Sequence, residues 1–179
     1  MRIRSRSIAL MAILLAIPFI WPVQTADARF QKRQGWVTAA FDGDCENLIA
    51  DQIQSARREL LIAIFIMTSQ RLENLVATAA QRGVTVRVKY DINQARHASM
   101  QRALKRFEEV GIECTPIEMT RTGASMHHKF IVIDGLRVIT GSYNFTAMAA
   151  GWNYENCILI ESQPIAREFQ QIFESIESR

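Results

Sequence analysis

The sequence predicts an α/β fold in which a central mixed β-sheet is flanked by helices. Three observations support this class. Strand-like and amphipathic helical segments alternate along the chain, which is typical of helices packed on a sheet. The segment 59–67 is apolar throughout, as expected for a central strand that is buried on both faces. Asp134-Gly135 separates two apolar runs, and this dipeptide is a strong signal for a hairpin of antiparallel strands.

The strands differ in their hydrophobic pattern. Segment 84–91 alternates apolar and polar residues, which is the period of a strand with one exposed face. The polar segment 120–125 predicts a loop before the hairpin. The predicted strands are 36–41, 59–67, 84–91, 112–119, 127–133, 136–142 and 155–161.

The helices are recognised by their apolar spacing and by the residues at their ends. Ser69 is suited to begin the second helix and Gly83 to end it. Asp42 or Asp44 is the candidate N-cap of the first helix, and Pro164 stands at the start of the last. The predicted helices are 44–58, 69–83, 93–111 and 164–178.

The N-terminus has the three parts of a secretory signal peptide. Its first seven residues include three arginines, an apolar run occupies 8–21, and small residues stand at Ala26 and Ala28. We therefore expect cleavage after Ala28 and a periplasmic or secreted protein. The apolar run is shorter than the roughly 20 residues of a membrane span; an uncleaved anchor helix is the alternative.

The expected domains are a signal peptide, 1–28, and a single domain, 29–179. Removing the leader's three arginines and one aspartate leaves 18 basic and 17 acidic residues, so the net charge falls from +3 to +1. The overall charge therefore gives no argument for a polyanionic partner, and any basic surface has to be local. No stable membrane association is expected after cleavage.

The three cysteines are Cys45, Cys114 and Cys157. None has the spacing of a zinc site or of a redox motif. The odd number leaves at least one thiol free or intermolecular, and export would permit a disulfide. Each cysteine lies in or beside an apolar segment, which favours small buried hydrophobes. The pairing among them is left open.

The hairpin carries a group of polar residues on an otherwise apolar segment. In a strand, residues two apart share a face, so His127 and Lys129 point the same way while His128 and Phe130 point the other way. The return strand brings Ser142 back near His127. A packing or solvent-exposed role is expected for His128.

These residue types suit a phosphate. Lys129 supplies a positive charge, Ser142 and Asn144 supply hydrogen-bond donors, and Gly141 allows close backbone approach. An imidazole such as that of His127 can act as nucleophile or as general acid–base near neutral pH. The sequence has no carboxylate cluster that would hold a metal ion, so charge neutralisation falls to side chains.

The pattern His127-x-Lys129-x4-Asp134-x6-Gly141-Ser142-x-Asn144 resembles the HKD signature of the phospholipase D superfamily. The stretches "FDGDCENLIADQIQSA", "AIFIMTS" and "AAQRGVTVRVKYD" are similar to the small Nuc-like bacterial endonucleases of that superfamily. The resemblance covers nearly all of 29–179. It implies the phospholipase D/nuclease-like fold and phosphodiester hydrolysis.

The resemblance also implies roles for the residues. His127 would attack phosphorus and form a phosphohistidine, and a second histidine would protonate the leaving oxygen. Lys129, Ser142 and Asn144 would bind the phosphate oxygens. Glu155 would accept a hydrogen bond from His127 and fix its tautomer. No metal or other cofactor would be required.

Two residues of the signature are expected to be structural. Asp134 precedes Gly135 and is interpreted as a turn residue. Gly141 is interpreted as a position where the backbone needs room for close approach. Lys89 is expected to be a solvated charge. For Trp152 and Tyr154 the sequence does not decide between base stacking and core packing.

The chain carries a single HKD motif, since His97 is followed by Ala-Ser. The resemblance therefore implies a homodimer in which two copies of His127 meet at one active site at the interface. DNA is the first candidate substrate, with RNA also in range. Phospholipids such as cardiolipin are the alternative, and a non-catalytic nucleic-acid-binding module is an alternative of another class.

Overall fold

A computed structural model describes residues 35–179. The expected signal peptide and its cleavage after Ala28 lie outside the described residues. No helix within 35–179 is long and apolar enough to cross a membrane.

The described part of the chain forms a mixed 7-stranded sheet in the order β1-β7-β6-β5-β2-β3-β4. β2 pairs in parallel with β3, and β3 with β4, while the other neighbouring strands pair antiparallel. The strands are β1 (Trp36–Phe41), β2 (Glu59–Ile64), β3 (Thr85–Asp91), β4 (Glu113–Ile117), β5 (Lys129–Ile133), β6 (Arg137–Gly141) and β7 (Asn156–Glu161). This sheet, flanked by helices, confirms the predicted fold class.

Helices cover both faces of the sheet. They are α1 (Gly43–Ser55), α2 (Gln70–Gln81), α3 (Ala98–Glu109), α4 (Ala147–Gly151) and α5 (Gln163–Ser175), with a 3₁₀ turn at Ile92–Arg96. Side chains of α1, α2 and α3 share one buried cluster with Ile62 and Ile64 of β2. Those of α5 share a second cluster with Leu61 and Ala63. Because successive strand residues face opposite sides, the two clusters lie on opposite faces.

The helices differ from the prediction at two places. The segment 93–111 does not form one helix, because a 3₁₀ turn precedes α3 and His97 between them is extended. The helix at Ala147–Gly151 was not predicted, since five residues are too few to show a helical period.

Tertiary contacts also shorten two elements. β2 ends at Ile64 rather than at residue 67. The backbone N–H of Phe65 donates to the carbonyl oxygen of His128 at 3.0 Å, and the N–H of Ser69 donates to the carbonyl oxygen of Phe145 at 2.7 Å. α1 ends at Ser55, because the backbone beyond it turns to bind the carboxylate of Asp134.

The predicted hairpin is confirmed. Asp134 and Gly135 have positive φ values of 56° and 67°, which is the conformation of a tight primed turn that Asp-Gly adopts readily. β5 pairs with β6 from Phe130↔Thr140 to Ile133↔Arg137.

The hairpin sits in the middle of the sheet. β5 also pairs with β2, with Ile64 opposite Lys129 and Leu60 opposite Ile133. The carboxyl end of β2 therefore lies beside the start of the signature, and its amino end lies beside the Asp134 turn.

Candidate active site

His127 and Lys129 lie side by side where the motif enters β5. The Nζ of Lys129 is 3.2 Å from Nε2 of His127 and donates to the backbone oxygen of His127 at 3.1 Å. His128 turns the other way and packs edge-on against Phe130, with ring centroids 5.5 Å apart. The predicted division of these side chains between the two faces is confirmed.

Phe65, which directly follows β2, forms the apolar side of this pair. Its ring lies edge-on to His127 at 4.9 Å, and the Nζ of Lys129 lies 5.4 Å from the ring centre. The aromatic face is attractive to a cation and restricts how the imidazole can turn. His127 itself stays exposed, so an incoming phosphate can reach its ring.

The electrostatics of Lys129 follow from its partial burial. Loss of water around the ammonium group lowers its pKa below the usual value, although the charge of Glu155 acts in the opposite direction. A half-buried cation close to an imidazole is suited to neutralise a phosphoryl oxygen. The pKa of His128 is also lowered, first by burial and then by the positive charges of Lys129 and Arg179.

Glu155 is buried and held by its own backbone. Its N–H donates to the carboxylate of Asp42 at 3.0 Å, and its carbonyl accepts from the N–H of Asp42 at 2.9 Å. Its carboxylate accepts hydrogen bonds from the Ser142 hydroxyl and, at 3.0 Å, from the side-chain amide of Asn153.

The expected hydrogen bond between Glu155 and His127 is not among those of residues 35–179. The carboxylate of Glu155 contacts Ser142, while His127 contacts Lys129 and Phe65. Glu155 reaches the pair through its charge on Lys129.

Ser142 is bound within the protein. Its hydroxyl donates to Glu155 and accepts from the backbone N–H of Asn156 at 3.1 Å. Its backbone N–H donates to the Asn156 carbonyl at 3.0 Å. In this structure Ser142 therefore orients Glu155 and the start of β7 rather than contacting His127.

Asn144 and Tyr143 have unused hydrogen-bonding capacity. Among the described residues, Oδ1 of Asn144 and the hydroxyl of Tyr143 are buried without a hydrogen-bond partner. Burial, and then the charge of Glu46, raises the pKa of Tyr143. Buried polar atoms are nearly always paired, so unpaired ones often mark a functional position.

Gly141 is required by the neighbouring strand. A Cβ at this position would lie 2.2 Å from the carbonyl oxygen of Asn156 and 2.7 Å from Cα of Cys157. The close approach therefore belongs to β7, and glycine allows β6 and β7 to pair beside Ser142 and Glu155.

Asp134 lies at the opposite end of β5. Its carboxylate accepts from the backbone N–H groups of Arg57, Arg58 and Glu59, at 2.7 Å for Arg58, and lies 3.7 Å from the guanidinium of Arg137. Burial opposes ionisation, but these amides and Arg137 hold its pKa below the usual value. This geometry is that of a structural residue.

Asp91 was missed by the sequence reasoning. It is buried at the carboxyl end of β3, and its carboxylate accepts from the backbone N–H of Met126 at 2.9 Å and of Asn93 at 3.0 Å. Met126 directly precedes His127. The available signal was an acidic residue at the end of an apolar strand, where polar side chains of α/β proteins often serve a site.

A groove of about 540 Å³ opens beside His127. It lies between the segment before β5 and the end of α5, and its lining includes His127, His128, Ile117, Met119, Ile176 and Arg179.

Lys89 fixes one wall of this groove, because its Nζ donates to the carbonyls of Phe173 and Ile176 at 2.8 Å. The expectation of a solvated Lys89 was wrong, since the ammonium group caps α5.

The remaining aromatic candidates lie on the surface. Trp152 is 82% exposed and Tyr154 is 98% exposed, so neither packs in the core of this chain. Within residues 35–179 no group of three or more His, Cys, Asp or Glu side chains is arranged to hold a metal ion.

The sequence is similar to those of known proteins. A family model described as "Cardiolipin synthase, PLD-like domain" matches residues 49–177. The chain is 32% identical over 126 residues to a mitochondrial cardiolipin hydrolase of Chlamydomonas reinhardtii, covering 70% of this chain and 54% of that protein. It is 36% identical over 137 residues to a phospholipase D of Rickettsia bellii, covering 75% and 65%. The chain thus spans about half to two thirds of these relatives.

Solved structures share the fold. Nuc from Salmonella typhimurium, a phospholipase D family member, has a TM-score of 0.74 at 23% identity and covers 80% of this chain and 94% of its own. NucT from Helicobacter pylori has a TM-score of 0.70 at 18% identity and covers 79% and 96%.

Proposed function

This chain belongs to the phospholipase D superfamily, and from that membership we propose that it is a metal-independent phosphodiesterase with His127 as the nucleophile. The observation that carries the proposal is the contact between Lys129 and the exposed imidazole of His127. A cation beside the nucleophile neutralises the charge that develops on the phosphoryl oxygens.

The reaction has two displacements. In the first, a ring nitrogen of His127 attacks phosphorus, the bond from phosphorus to the leaving oxygen breaks, and a second histidine gives that oxygen its proton. In the second, water attacks the phosphohistidine, gives its proton to the second histidine and frees His127. Lys129 and Asn144 bind the phosphoryl oxygens, and Ser142 acts through Glu155.

The second histidine comes from a second copy of the chain in this proposal. The sequence has one HKD motif, and His127 is exposed rather than enclosed. A two-fold axis would place one His127 opposite its equivalent. The catalytic unit is therefore a homodimer with one active site at its interface.

DNA is the first candidate substrate, and RNA shares the same phosphodiester. Support comes from the single motif and from the similarity of the sequence to Nuc-like endonucleases. The intact pair of His127 and Lys129 disfavours a non-catalytic binding module, because binding alone requires no nucleophile. Export to the periplasm or beyond completes the proposal.

Phospholipid is the second candidate, and a separate observation favours it. The matched relatives are named phospholipase D and cardiolipin hydrolase. The groove beside His127 also carries aliphatic side chains, including Ile117 and Ile176, which suit an apolar substrate group.

The test compares both substrates in excess EDTA. Purified protein is incubated with plasmid DNA or with cardiolipin vesicles, beside His127→Ala and the matched control His97→Ala, whose histidine is exposed before α3. We expect DNA cleavage that persists in EDTA, is lost in His127→Ala and is retained in His97→Ala.

Each other outcome assigns a different function. Release of phosphatidic acid with intact DNA would make the protein a lipid phosphodiesterase. Inactivity of a confirmed dimer on both substrates would overturn the phosphodiesterase proposal and favour a binding module.

A further inference from the structure

Two of the three cysteines lie against each other in the core. Cys45 is in the first turn of α1 and Cys157 is in β7, and their exposed fractions are 0% and 1%. Ala40 of β1 is paired with Cys157, and its carbonyl accepts a hydrogen bond from Sγ of Cys45 at 3.3 Å. The two thiols also lie close enough for each to shift the pKa of the other.

We propose that Cys45 and Cys157 form a disulfide when the chain folds in an oxidising compartment. One thiolate attacks the disulfide of an oxidant RS–SR, forms a mixed disulfide and releases RSH. The second cysteine then attacks the mixed disulfide and releases a second RSH, so both thiol protons leave with the reduced oxidant. The proposed export would place the chain in such a compartment. The cross-link does not depend on the proposed phosphodiesterase activity.

The bond forms before the core closes. Burial raises the pKa of both thiols, and the neighbouring thiol of Cys45 raises the pKa of Cys157 further. The thiolate is the reactive form, and no oxidant reaches a side chain that is fully buried. A chain that has folded in reducing conditions is therefore expected to keep both thiols.

Cys114 is an internal control for this assignment. It lies in β4, at the edge of the sheet opposite to β1 and β7. It is half-buried, and burial raises its pKa to about 12. The cross-link would thus leave one thiol per chain.

The cross-link would join two elements that hold Glu155. Asp42 precedes Cys45 by three residues and binds the backbone of Glu155, which precedes Cys157 by two. It would also close a loop of about 110 residues, and long loops lose the most entropy when they are closed in the unfolded chain.

The test is refolding of the full chain from urea, once with a mixture of reduced and oxidised glutathione and once with excess dithiothreitol. After the redox reagents are removed at acidic pH, the refolded protein is unfolded again in urea so that the buried thiols are accessible, free thiols are alkylated with N-ethylmaleimide, and peptides are mapped by mass spectrometry. We expect one alkylated cysteine, Cys114, after oxidative refolding and three after reductive refolding. The melting temperature of the oxidised form should be higher by roughly 10 °C.

Variants separate this pair from the alternatives. Cys114→Ala should leave the cross-link and the shift in melting temperature intact, whereas Cys45→Ala and Cys157→Ala should abolish both. Three free thiols after oxidative refolding, or a cross-linked peptide that contains Cys114, would overturn the proposal. These readouts do not depend on substrate, so they are independent of the proposed phosphodiesterase activity.

Discussion

The two ends of strand β5 carry charged residues in opposite situations. At Asp134 the carboxylate accepts three backbone hydrogen bonds and lies near a guanidinium. At Lys129 the ammonium group has lost water and contacts a neutral ring and an imidazole.

The difference separates stability from chemistry within one short motif. Asp134 has its hydrogen-bonding capacity satisfied inside the protein and lowers the free energy of the fold. At the other end, Lys129 contacts the exposed imidazole of His127, and Oδ1 of Asn144 is buried without a hydrogen-bond partner among the described residues. The consequence is that substitutions at the two ends should have opposite effects on stability and on turnover.

The largest expected effect is on turnover at the Lys129 end. Lys129→Met should lower kcat by roughly 10²- to 10³-fold, because one preorganised charge at the phosphoryl oxygens is lost. Its free energy of unfolding should stay the same or rise slightly, since a half-buried charge is removed. Assays on the accepted substrate and urea unfolding measure the two quantities. Lys105→Met, at an exposed position of α3, is the control and should change neither quantity. A Lys129→Met enzyme with more than a third of wild-type turnover would contradict the role of Lys129 at the phosphoryl oxygens.

At the other end the effect should be on stability. Asp134→Ala leaves backbone N–H groups of residues 57–59 without their acceptor, so the free energy of unfolding should fall by about 2–4 kcal/mol. Turnover per folded molecule should stay within about twofold of wild type. Asp51→Ala, on the exposed side of α1, should change neither. A large loss of kcat in folded Asp134→Ala would show that the two ends are coupled.

Asp91 provides an intermediate case, since a structural contact there serves the site. Asp91→Ala removes the acceptor for the Met126 N–H, so we expect kcat to fall about tenfold with KM unchanged. Asp91→Asn keeps a carbonyl oxygen and should recover most of the activity. If KM rises while kcat is retained, Asp91 acts on substrate binding rather than on the position of His127.

The smallest expected effect is on the pH dependence of the free energy of unfolding. The folded-state pKa of Asp134 is lowered, so the unfolded chain binds more protons and stability rises with pH in this range. The contribution of Asp134 is complete above the unfolded pKa of about 4 and is lost as pH falls through the lower folded value. Urea unfolding at a series of acidic pH values should show a weaker pH dependence for Asp134→Asn than for wild type. Equal slopes would mean that the amides do not stabilise the ionised form.

Much of the fold follows from local patterns. The alternation of apolar segments located the strands, and Asp-Gly located the hairpin, although its register, with Ile133 opposite Arg137, was not predicted. α4 escaped because five residues cannot display a helical period. The early end of β2 escaped because Phe65 and Ser69 bind backbone that lies far along the chain.

The site could be predicted only as far as strand geometry reaches. The shared face of His127 and Lys129 follows from a period of two residues. The hydrogen-bond partners of Glu155 do not follow from this period, because its backbone is held by Asp42, 113 positions earlier. Asp91 binds Met126 across 35 positions, and no local pattern encodes such a contact.

The strand order has a consequence for how the protein is made. β1 lies at the edge of the sheet and pairs with β7, the last strand within residues 35–179. During synthesis the first strand leaves the ribosome long before its partner exists, and sheets joined by distant segments form slowly. We therefore expect the sheet to stay open in the nascent chain until β7 has left the ribosome and can pair with β1.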